Sequence, residues 1–154
     1  MAAQRILLPY NFSANDQKSL DFIIKTFGRQ EEADITIFHA FTPISEVESD
    51  DQSATAKLKR RLSYLTQELT EREIALQELR SQLISSGFDR DRVRYVFKSR
   101  KKEIAAAIID EVEENEYDIV VLNHKPGKVS RFFTGSVFIK VVTALKDTTI
   151  CVVS

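Results

Sequence analysis

The sequence predicts an α/β domain: a doubly wound, five-stranded parallel sheet with helices on both faces and a long second helix. Three observations carry this. Strand-like and helix-like segments alternate along the whole chain and finish on a strand, the pattern of a parallel sheet with helical crossovers. The segments RILLPY and DIVVL are short and apolar throughout, as strands covered on both faces are. The chain has 154 residues, one domain's length, enough to bury roughly 68–70% of the surface its unfolded form exposes. Residues 1–154 are therefore read as one domain.

Each element has its own local cause. RILLPY (5–10) is the first, central strand, with Pro9 ending its ladder. Ser13 and Asp16 form an S-x-x-D capping signature ahead of Leu20, Ile23, Ile24 and Phe27 at helical spacing, and Gly28 is placed to stop that helix. ADITIFHAF (33–41) is rich in β-branched and aromatic residues and makes the second strand, followed by a turn at Thr42-Pro43. Residues 53–86 contain neither Gly nor Pro, and Leu58, Leu62, Leu65, Leu69, Leu76, Leu79 and Leu83 recur three and four apart, with Arg72 at the skipped step. Such a helix extends ~50 Å, whereas a strand of five or six residues covers ~17–20 Å, so it must overhang the sheet or kink. Gly87 caps it. VRYVFK (93–98) alternates and suits an edge strand. Ile104, Ala105, Ile108, Ile109 and Val112 form the next helical stripe, and DIVVL (118–122) another buried strand. A helix through Val137, Ile139, Val141, Val142 and Ala144 leads to the closing strand, TTICVVS.

Composition narrows the function. The formal net charge is -1, which gives polyanions no overall attractive field, so nucleic-acid binding is not expected. Hydrophobic residues at 43% and charged residues at 29% match an ordinary globule, and no run reaches the ~18 apolar residues of a membrane span. The lone cysteine, Cys151, lies in an apolar run and reads as a buried thiol, consistent with a reducing, cytoplasmic setting. His39 sits inside the second strand and His124 beyond the fourth. With Cys151 they give no zinc-ligand spacing, so no metal is expected. Ser13 and Ser136 have no His-Asp pair placed to activate them, so no catalytic residue is expected and both serines read as helix caps.

Ligands of doubly wound sheets sit beyond the carboxyl ends of the strands. Two segments belong there: PYNFS after the first strand and NHKPGKVSRFFTGS (123–136) after the fourth. The candidate pocket is Pro9, Asn11, Asn123, His124, Gly127, Arg131, Gly135 and Ser136.

At these residues the chain resembles the universal stress protein family over essentially its whole length. RILLPYNFS is similar to the family's first strand and turn, ITIFHAF to its second strand, and DIVVLNHKPGKVSRFFTGSVFIKVV with TTICVVS to its fourth strand, loop, last helix and closing strand. The resemblance implies strand order 3-2-1-4-5, a homodimer and, in one branch, ATP or AMP held by a G-x2-G-x9-G-[ST] loop with an Asp after the first strand. Gly135 and Ser136 match the end of that loop. The two earlier glycines would fall on Leu122 and Lys125, and Asn11 stands where the Asp would be.

Those glycines matter because bare backbone can approach phosphates and take positive φ, whereas Lys125-Pro126 removes a donor and fixes φ. Lys125, Lys128 and Arg131 beside Gly135-Ser136 leave a weak anion site. Asn11, a neutral group, either weakens the nucleoside contact by about half or stabilises its turn by an Asx hydrogen bond.

The resemblance thus implies a stress-response or regulatory protein, a non-catalytic interaction or signalling module with an altered nucleotide site. The alternative is an ATP- or AMP-binding protein that uses the residual Gly-Ser loop, with slow hydrolysis. The family more often has glycine at the position of Lys98, so this lysine is expected to crowd the pocket entrance. The basic run KSRKKE (98–103) reads as a solvated face or an anion contact. The leucine stripe reads as sheet packing or as a contact for another protein. The terminal strand should be an exposed edge that a second copy covers.

Overall fold

The computed structural model describes residues 3–29, 32–43, 52–124 and 137–154. Five strands, β1 (Gln4–Pro9), β2 (Ala33–Phe41), β3 (Val93–Ser99), β4 (Ile119–Asn123) and β5 (Thr149–Val153), alternate with four helices. The helices are α1 (Ala14–Phe27), α2 (Gln52–Ser85), α3 (Ile104–Asn115) and α4 (Val137–Ala144). All strand pairs are parallel, in the order β3-β2-β1-β4-β5. Both β3 and β5 are edges, as expected. The ladder runs one bond further than Pro9: Pro9 pairs with Phe38, and the Tyr10 amide still donates to the Phe38 carbonyl at 2.8 Å. Proline lacks only its own N–H, so the next residue's donor stays available.

The period-2 alternation of the strands divides the interior into two layers. Ile6, Leu8, Ile35, Ile37 and Val121 face Leu20, Ile23 and Phe27 of α1 and Leu76 and Leu83 of α2. Leu7, Phe38, Ala40, Val120 and Leu122 face Ala105, Ile108 and Val112 of α3 and Val141 of α4. The closing strand is less covered than its neighbours, and Cys151 within it is partly buried, not fully so as its apolar run suggested.

Helix α2 is one continuous helix of 34 residues. Only its C-terminal part meets the sheet: Leu76 and Leu83 are in the core with Leu79 against it, while Leu58, Leu62, Leu65 and Leu69 belong to neither layer. The helix ends through hydrogen bonds from the Gly87 amide to Ile84 and from the Phe88 amide to Leu83, with Gly87 at φ 112°. That φ is open to glycine and costly for other residues.

Candidate functional site

The chain turns back in opposite directions from β1 and β4, so a crevice opens beyond their carboxyl ends. Pro9, Asn11 and Asn123 meet there with Ser13, Asp16, Ile104, Leu122, Val137 and Phe138 around a cleft of about 160 Å³. His124 leads away from it: its amide donates to the Val153 carbonyl at 2.8 Å, and its ring meets Phe138 edge-on at 5.5 Å. Gly127, Arg131, Gly135 and Ser136, with Lys125, Pro126 and Lys128, lie outside the described residues.

Asp16 is the centre of the cleft's polar network, and sequence reasoning noticed it only as a cap. Its Oδ2 accepts from the backbone amides of Asn11 at 3.0 Å and Ser13 at 2.9 Å, and from the Ser13 hydroxyl at 2.8 Å. Its Oδ1 accepts from the Asn123 side-chain amide. Ser13 Oγ in turn accepts from the Asp16 amide, completing the capping box and giving Ser13 the capping role expected of it. Asp16 is 2% exposed. The turn is thus held from Asp16 and not by an Asx bond of the Asn11 side chain. Donors that could face a bound anion already serve a protein carboxylate. A phosphate placed ~5 Å from that carboxylate would be opposed by ~3 kcal/mol per charge pair at an effective dielectric of about 20.

Beside the cleft, over the ends of β1, β2 and β3, aromatic rings fill the remaining space. Phe12 sits edge-on to Tyr10 at 5.2 Å and to His39 at 5.0 Å, His39 stacks on Phe97 at 5.8 Å, and Phe97 meets Phe41 at 4.5 Å. Phe12 has φ 60°, a conformation costly for a bulky residue and tolerated where surrounding contacts hold it. His39 is buried, with Nδ1 2.8 Å from the Tyr10 carbonyl; the Nδ1–H tautomer donates there and leaves Nε2 without a partner among the described residues. Burial pushes the imidazole below its ordinary pKa, and the Tyr10 bond opposes this only in part. The imidazole is therefore neutral at pH 7. The signal for this cluster was present, an aromatic or histidine near each strand end, but nothing in the sequence says that these rings touch.

Lys98 corrects one expectation. Instead of crowding the cleft, its ammonium bonds Glu111 of α3 at 3.0 Å and lies over the Phe38 ring. The β3 pleat points residue 98 to the α3 face, where the buried Glu111 carboxylate draws it. Tyr117 also donates to Glu111, at 3.1 Å. Two more cations of the basic run are engaged: Arg100 donates to Thr42 at 2.9 Å, and Lys102 lies 3.8 Å from Asp110. Burial raises the Cys151 thiol pKa, which disfavours the reactive thiolate. Among the described residues no group of three His, Cys, Asp or Glu side chains converges to hold a metal, and no helix is long and apolar enough to cross a membrane.

The family profile described as Universal stress protein family matches residues 2–152. The chain belongs to the universal stress protein family. Solved structures of like fold agree with this membership. Universal stress protein UspA from Lactobacillus plantarum superposes with a TM-score of 0.70 at 16% identity, over 100% of this chain and 99% of its own. A universal stress protein solved in complex with cAMP gives 0.63 at 14% identity, covering 100% of this chain and 98% of that one. The universal stress protein from Archaeoglobus fulgidus in complex with dAMP gives 0.64 at 15% identity, with 100% of both chains covered. A comparison with curated proteins gave no match. For this member of the universal stress protein family, the strand order implied by the resemblance is the order observed, and the cleft lies at its switch point.

Proposed function

We propose that this universal stress protein is a non-catalytic interaction or signalling module whose nucleotide site is altered, acting in stress response or regulation in the cytoplasm. The observation that carries the reading is Asp16: this buried carboxylate accepts from the amides of Asn11 and Ser13 and from the Asn123 side chain, so polar donors that line the cleft are already engaged within the protein. Two further features support it. The cleft that the described residues form, of about 160 Å³, is below the ~300–1,000 Å³ of small-molecule sites. The rings of Phe12, His39 and Phe97 pack on one another beside the cleft, which narrows the room for a base there. A homodimer through the exposed β5 edge, where Val152 is 42% exposed, is part of the reading.

The second reading is an ATP- or AMP-binding protein that holds phosphates with Gly135, Ser136 and neighbouring basic residues, with slow hydrolysis as its only chemistry. It is favoured by the fold shared with proteins solved in complex with cAMP and dAMP. Calorimetric titration with ATP, ADP and AMP separates the two. The first reading expects no heat and no thermal shift at millimolar nucleotide. Micromolar binding abolished by Ser136→Ala with Gly135→Ala would replace it with the second.

A further inference from the structure

The N-terminal part of α2 continues an apolar stripe past the sheet that the C-terminal part packs on. Leu76, Leu79 and Leu83 pack on the core, Arg72 stands at the point of departure, and Leu58, Leu62, Leu65 and Leu69 continue the three-four spacing beyond it. The 34-residue helix is ~51 Å long, whereas the seven-residue β3 spans ~23 Å. Roughly half of α2 therefore extends past the sheet, and none of its four leucines, each partly buried, touches a core layer among the described residues.

The charges of the projection are sorted along its length. Lys57, Lys59, Arg60 and Arg61 lie near its N-terminal end, and Glu68 and Glu71 lie near the sheet, where Glu68 also accepts from Arg72 of the same helix at 2.7 Å. Arg61 and Glu68 each directly precede an apolar stripe position, Leu62 and Leu69, and so flank the seam on the same side. We propose that this projection pairs with the same segment of a second copy as an antiparallel two-helix coil.

In the register that places Leu58 opposite Leu69 of the second copy, Leu62 falls opposite its Leu65, and two-fold symmetry repeats both layers. All four leucines are then covered. Arg61 flanks Glu68 of the second copy on both sides of the axis. A parallel pair would instead bring the basic ends together and set Glu68 beside Glu73 of the second copy, both repulsive. The charge order thus selects both the occupant and its direction. This contact does not use the β5 edge.

The test uses the full chain carrying Cys151→Ser, with Leu58→Cys and Leu69→Cys introduced together and mild oxidation followed by peptide mapping. The expected product is an interchain link between residues 58 and 69; positions eleven apart on one helix are ~16 Å apart, too far for a link within a chain. Links of 58 to 58 and 69 to 69, or no interchain link, would overturn the proposal. Charge exchange gives a second readout at Arg61, which is exposed, and at Glu68, which is partly buried and bonded to Arg72 one turn on. On this cysteine background Arg61→Glu alone and Glu68→Arg alone each reduce the 58–69 link about tenfold. Mixing the two variants restores it, because the carboxylate introduced in one chain then meets the guanidinium introduced in the other. Failure of the mixture to restore linking would also overturn the proposal.

Discussion

Asp16 and Asn123, 107 residues apart in sequence, are joined at the switch point of the sheet, where the Asn123 amide donates to the Asp16 carboxylate. This bond ties the first turn of α1 to the end of β4 and closes the cleft from within. With Asn11 and Ser13 as the other donors, Asp16 both caps a helix and occupies the centre of the crevice.

Replacing Asp16 by alanine removes a helix cap and leaves buried donors without acceptors. The expected loss is about 2–4 kcal/mol, a fall in Tm of roughly 5–15 °C for a chain of this size. Thermal unfolding followed by circular dichroism measures it, and an unchanged Tm would show that the carboxylate does not hold the turn.

Neutral, buried His39 should make stability fall on acidification. Burial lowers its folded pKa below the ordinary 6.5, so between those two values the unfolded chain binds more protons than the folded one. Its contribution is fully present above pH 6.5 and is lost as pH falls through 6.5 towards the lower folded value. His39→Phe should flatten the urea-unfolding midpoint between pH 7 and pH 5.5 relative to the parent chain. Equal slopes in the two proteins would refute the assignment.

The Lys98–Glu111 pair joins an ammonium on a side chain 42% exposed to a carboxylate on one 5% exposed. Lys98→Met leaves that carboxylate buried with Tyr117 as its remaining donor and should cost about 1–3 kcal/mol, less than for a fully buried pair because water reaches the lysine. Adding Glu111→Leu should recover most of the loss. Urea midpoints of the two single variants and the double variant form the cycle, and simple additivity would contradict the coupling.

Gly87→Ala should destabilise by about 1–3 kcal/mol, since φ 112° strains any residue with a Cβ. The added methyl would meet only the Gly28 carbonyl oxygen, at 3.5 Å, so the cost is conformational and not a clash. Chemical denaturation of the variant against the parent chain decides this.

Much of this protein was determined by local pattern alone. Continuous apolar runs marked β1 and β4 because a strand covered on both faces has no polar side, and the long helix read at 53–86 is observed at Gln52–Ser85 because its spacing is uninterrupted by Gly or Pro. The Ser13–Asp16 capping box was legible because both partners lie within one turn. The crevice position followed from the alternation of strands and helices, and the strand order from the family resemblance carried by the first, second, fourth and closing strands and the loop between β4 and α4.

Tertiary structure decided what those elements share. Asn123 reaches Asp16 only after β4 pairs beside β1, and Phe12, His39 and Phe97 become one stack only when three strand ends are brought into line. Lys98 turned to Glu111 because the pleat and a buried carboxylate set its direction, which no run of basic letters specifies. The leucines of α2 split into packed and projecting halves because a helix rises 1.5 Å per residue while the sheet beneath it ends. Local sequence encodes periodicity and end signals; which polar groups are spent on one another is settled by the distances that packing creates.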